Sequence, residues 1–128
     1  MKHALILAVA GLLAACTTSP TTPTVDADVI RSASPVAIGE ALRLGDIYLT
    51  PMAVTEDSRC PASVECVWAG TVKVETRIDG AGWRETIELQ LSEPQNVRGH
   101  RIVLDAVAPA RLTPGPIAHD AYRFSFSN

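Results

Sequence analysis

Two runs of apolar–polar alternation separated by a glycine-rich turn narrow the fold more than anything else in this chain. In Val67–Ile78, Trp68, Gly70, Val72, Val74, Thr76 and Ile78 fall on one face, and Lys73, Glu75 and Arg77 on the other. A period of two over this length specifies a half-buried strand. Asp79-Gly80-Ala81-Gly82 follows, with permissive backbone where a tight hairpin needs it. Trp83–Leu91 returns with Trp83, Ile87, Leu89 and Leu91 on one face and Arg84, Thr86, Glu88 and Gln90 on the other. A helix would not sort these residues into two faces, because its side chains repeat every 3.6 positions. Glu85 interrupts the apolar face near the turn, where water reaches it.

The flanking segments agree with this hairpin. Val36–Leu44 and Ile47–Val54 are rich in apolar residues and are divided by Gly45-Asp46, a turn signal. Leu42 and Leu44 bracket Arg43, and Pro51 inside the second run predicts an edge strand or a bulge. Ser92–His100 is polar, with Pro94 and Gly99, and reads as a loop. Arg101–Ala108 is a short apolar strand candidate, and Pro109–Asp120 is irregular because of its prolines and Gly115. Tyr122, Phe124 and Phe126 alternate with Arg123, Ser125 and Ser127 in a last strand. The expected fold is all-β, a small antiparallel β-sandwich or barrel of about six to seven strands, with turn signals roughly every ten residues.

The N-terminus has a different character. Lys2 and His3 precede an apolar run, Ala4–Ala15, that includes Gly11. A membrane-spanning helix needs roughly 20 apolar residues, so this run is too short to span and has the length of a signal-peptide core. It ends in Leu13-Ala14-Ala15-Cys16, which resembles the bacterial lipoprotein box. The resemblance implies cleavage before Cys16 and acyl chains, palmitate among them, on that cysteine. An ordinary secretory signal cut at the same small residues is the alternative, and either way the product is exported. Thr17 and Thr18, rather than an aspartate, follow the cysteine; in a double-membraned host the resemblance to lipoproteins then implies the outer membrane, facing the periplasm. Thr17–Pro35 is rich in Thr, Ser and Pro and reads as a tether that cannot bury enough surface to fold. The domain organisation is therefore a signal peptide at 1–15, a lipidated tether at 16–35 and a β domain at 36–128.

There are three cysteines. With lipid on Cys16, an even pair remains, and an exported compartment lets Cys60 and Cys66 form one bridge. Closing so short a loop contributes about 2 kcal/mol in the loop-entropy account. The net charge is −3, and the basic side chains are scattered rather than set in a stripe, which speaks against nucleic acid as a partner. The expected partners are the membrane, through the N-terminal lipid, and an envelope protein or ligand of unknown identity. His100 and His119 stand apart from each other and from the cysteines, so no metal site and no cofactor is expected.

The charged stretch Thr55–Gly70 holds both remaining cysteines. Its Asp57-Ser58-Arg59-Cys60-Pro61, followed by Val64, Cys66, Trp68 and Gly70, resembles a motif of small exported bacterial proteins, many of them lipoproteins, to which no activity is attached. The form is Asp-Ser-Arg-Cys-Pro-x4-Cys-x-Trp-x-Gly. Leu104–Pro109 and the Tyr122-led last strand extend the likeness over most of the mature domain. The resemblance implies a family and no reaction.

The residues themselves support several readings of this loop. Pro61 restricts the backbone after Cys60, and Asp57 and Ser58 can accept local N–H bonds. Arg59 can pair with Asp57 or Glu65, or stack on Trp68. Trp68 is expected to face the core and cover the bridge, and Gly70 to admit a neighbouring backbone or ring. The structural reading is a staple at a corner between two strands. The sharper reading is a rigid recognition loop carried by Asp57, Arg59, Glu65 and Trp68, for instance an inhibitor of an envelope or foreign hydrolase such as a protease or lysozyme. A redox pair is disfavoured by the spacing. An enzyme would need a pocket lined by Glu56, Asp57 or a histidine. The sequence therefore points to a non-catalytic, lipid-anchored envelope protein.

Overall fold

In the computed structural model, which describes residues 30, 31 and 35–128, every regular segment longer than one turn is a strand. They are β1 (Ile30–Arg31), β2 (Ala41–Leu44), β3 (Ile47–Asp57), β4 (Val72–Gly80), β5 (Trp83–Gln90), β6 (Pro94–Val97), β7 (His100–Ala108) and β8 (Arg123–Ser127). One 3-10 turn spans His119–Ala121. The segment expected as a signal peptide, Cys16 with its expected lipid and most of the expected tether lie outside the described residues.

The strands form two sheets, ordered β1-β2-β3-β4-β5 and β6-β7-β8. All pairings are antiparallel except the short β1–β2 contact, where Ile30 and Arg31 lie beside Ala41 and Leu42. These two residues fall in the segment expected as tether. The β4–β5 hairpin has the register its alternation requires, with Gly80 opposite Trp83 and Val74 opposite Leu89. Pro51 lies in β3, between β2 and β4, and the register shifts between Pro51 and Ala53, which is the bulge its missing N–H calls for.

The inward faces of both sheets meet in one core. Val72, Val74, Ile78 and Leu89 come from the first sheet, and Ile102, Leu104, Phe124 and Phe126 from the second. The sandwich is also joined along its sides. Val36 and Phe124 exchange backbone hydrogen bonds of 2.9 and 2.8 Å, and Leu91 bridges Leu104.

Three boundaries differ from the sequence expectation. Ser92–His100 is not all loop: Pro94–Val97 pairs with Val103–His100 across a turn in which Arg98 and Gly99 have φ of 50° and 85°. The strand expected over Val67–Ile78 begins only at Val72, while β3 runs past Val54 to Asp57. Only Ala41–Leu44 of Val36–Leu44 is a strand, with Val36 making an isolated bridge.

The disulfide-closed corner as the candidate functional site

β3 and β4 are joined by Ser58–Thr71, and this connection is closed twice. Cys60 and Cys66 form a disulfide with Cα atoms 5.9 Å apart. At its root, the Ser58 N–H donates to the Thr71 carbonyl at 2.8 Å, and the Thr71 N–H donates to the Ser58 hydroxyl at 3.1 Å. Gly70 makes this approach possible: a Cβ there would stand 1.5 Å from the Ser58 carbonyl oxygen.

Asp57 and Arg59 anchor the loop inward. The guanidinium donates to both carboxylate oxygens of Asp57, at 2.9 Å from Nε and 2.7 Å from Nη2, a bidentate pair. Its Nη1 donates to the carbonyls of Val107 and Pro109 at 2.9 and 3.1 Å. The Tyr122 hydroxyl donates to Asp57 Oδ2 at 2.9 Å, and Arg111 Nη1 to the Asp57 carbonyl at 2.6 Å. The Ala62 and Ser63 N–H groups donate to the carbonyls of Arg111 and Leu112. The loop of the first sheet is thus fastened to the end of β7, the start of β8 and the segment between them.

Electrostatics follow from this packing. Burial pushes the Asp57 carboxyl up, but the Arg59 and Tyr122 hydrogen bonds and the Arg59 charge outweigh it and hold the group below its ordinary value. Arg59 is raised by its hydrogen bonds to Asp57 and by that carboxylate's charge, against the cost of burial. Burial, then the bond to Asp57, raises the Tyr122 phenol. The neighbouring Glu56 is lowered by hydrogen bonds from Lys73 and Ser58.

The four residues of the candidate recognition loop separate into two pairs. The side chains of Asp57 and Arg59 are 10% and 15% exposed and bonded inward, whereas Glu65 and Trp68 face solvent. Trp68 corrects an expectation: it is 66% exposed and does not cover the bridge. β3 ends at Asp57, so Val67–Thr71 has no strand to pair with, and the alternation that continues through Trp68 is not realised as sheet. Tyr122 and Arg111 belong to the site but were not sequence candidates. They lie far along the chain, and only the turn-back of β8 brings the Tyr122 hydroxyl to Asp57.

A surface hollow of about 300 Å³ beside this network is lined by Glu56, Asp57, Ile117, His119 and Tyr122 among others. A second, of about 390 Å³, lies at the opposite pole and includes Asp46 and His100, whose Nδ1 is 3.4 Å from the Asp46 carboxylate. Among the described residues no group of three or more His, Cys, Asp or Glu side chains is arranged to hold a metal ion. Comparison with family models, curated proteins and solved structures finds no match to this chain.

Proposed function

We propose that this chain is a lipid-anchored protein of the cell envelope, on an outer membrane where the host has one, whose β domain works without catalysis as a binding or structural module. The observation that carries the non-catalytic reading is the closed network at the corner. A hollow with Glu56, Asp57 and His119 does exist. Yet Asp57 is bonded to Arg59 and Tyr122, and Glu56 to Lys73 and Ser58, and both carboxyls are held low. Carboxylates kept ionised and paired are poor proton donors near neutral pH. An inhibitory contact with a protease or lysozyme through Arg59 finds no support, because its guanidinium is turned inward.

The anchor rests on the Leu13-Ala14-Ala15-Cys16 resemblance. It is tested by expressing the full chain in a bacterial host, fractionating the envelope and weighing the N-terminal peptide. The expected result is an acylated peptide starting at Cys16 in the membrane fraction. A chain with an unmodified Cys16, free in the soluble fraction, would reject it. The module reading is tested by photocross-linking from Glu65 in intact cells. A discrete adduct supports binding, and none at any growth phase leaves the structural role.

A further inference from the structure

Exposed large apolar side chains are concentrated at one pole of the domain. Val64, Val67, Trp68 and Leu112 are 43%, 94%, 66% and 65% exposed, and among the described residues only Met52 joins them. Val64 lies within the loop closed by Cys60–Cys66, Val67 and Trp68 follow directly after Cys66, and Leu112 is beside the loop because its carbonyl accepts the Ser63 N–H. Pro61–Gly70 carries a single charge, Glu65. Arg111, next to Leu112, is bonded inward to the Asp57 carbonyl. Such a cluster on and beside a covalently closed loop is unlike the scattered apolar residues of an ordinary surface.

The topology says which way this pole faces. β2 runs from Ala41 away from the loop toward the Gly45-Asp46 turn, and β1 is parallel to it. The N-terminal end of Ile30–Arg31 is therefore on the loop side of this pair. Val36 is likewise bonded to Phe124, two residues from the Tyr122 that holds Asp57 at the loop root. Fourteen residue steps separate Cys16 from Ile30, a reach of at most about 50 Å.

We propose that the disulfide loop is a second membrane contact, with Trp68, Val67, Val64 and Leu112 seated in the interfacial layer of the bilayer that holds the lipid on Cys16. This rests on the anchored reading above. Tryptophan favours that layer because one edge is apolar and its N–H stays wet. The disulfide limits the ordering cost of presenting the loop. Glu65 remains in the hydrated outer part of the layer.

The two tryptophans provide the test, because Trp83 sits at the β4–β5 turn, at the opposite end of β4 from the loop. The mature lipidated protein is reconstituted in phosphatidylcholine vesicles with or without bromine on the acyl chains. In a Trp83→Phe variant, Trp68 emission is expected to shift to the blue and to be quenched by the brominated lipid. In a Trp68→Phe variant, Trp83 emission is expected to be unchanged. An anchored protein whose Trp68 emits as in water overturns the proposal and leaves the anchor standing. Trp68 that is shifted but unquenched, in a protein that sediments as a dimer, also overturns it, since a second copy then covers the patch. If Cys16 proves unlipidated the anchored reading fails; quenching of Trp68 by the same vesicles added to that soluble chain would still support the contact, and its absence would reject it.

Discussion

Asp57 is the residue on which the corner turns, because its carboxylate joins Arg59 and Tyr122 and its carbonyl holds Arg111. Replacing it with asparagine removes the charge from a mostly buried bidentate pair, so Asp57→Asn should lose about 2 kcal/mol near neutral pH. The sign of its pH dependence follows from its lowered folded pKa. Such a group contributes its full stability above the unfolded value of about 3.9, and that contribution is lost as the pH falls through the folded value. Glu56 and Asp79 are also lowered, so both proteins weaken in acid. The difference in melting temperature between wild type and Asp57→Asn, followed by circular dichroism, should shrink below about pH 4. A difference that stays constant into strong acid would show that the charge is not what matters. The Asp57–Arg59 pairing was legible as one of the options open to Arg59, since only Ser58 stands between the two charges. Tyr122 was not, because nothing local in its sequence points to a residue so far upstream.

The loop between β3 and β4 is the element where sequence and structure diverge most. Val67–Thr71 has strand-like parity, but parity becomes sheet only where a neighbouring strand supplies hydrogen bonds, and β3 has already ended. β6 was missed for the opposite reason. Pro94-Gln95-Asn96 is exposed and polar, an edge strand that starts with a proline and buries only Val97. The signal that was present is Arg98-Gly99, a two-residue turn with positive φ at both positions. Gly70, by contrast, was read correctly as a point of close approach. Gly70→Ala should cost about 2–3 kcal/mol, because the colliding group is backbone rather than a movable side chain. Denaturant unfolding measures this, and a loss below about 0.5 kcal/mol would mean that the loop root shifts freely. Cys60→Ser should cost about 2 kcal/mol by releasing a short closed loop. The same loss should appear when the unmutated protein is reduced.

For the molecule as a whole, stability depends on one core shared by two small sheets. Phe124 is completely buried, stacks on Tyr122 at 5.9 Å and bonds through its backbone to Val36. Phe124→Ala should therefore cost about 3–5 kcal/mol. It should also raise hydrogen exchange at Val36 and Val107, on either side of β8; a loss confined to β8 would mean that the sides of the sandwich open independently. The all-β class and the β4–β5 hairpin followed from sequence alone, because a period of two is a local property that any neighbouring strand satisfies. So did the disulfide pairing, because only two cysteines were left once Cys16 was assigned to lipid. Tertiary structure alone decided where Trp68 points, which way Ile30–Arg31 runs beside β2, and that Arg59 faces inward. Each of these depends on contacts between segments distant in sequence, and no local pattern of residue types encodes the space between them.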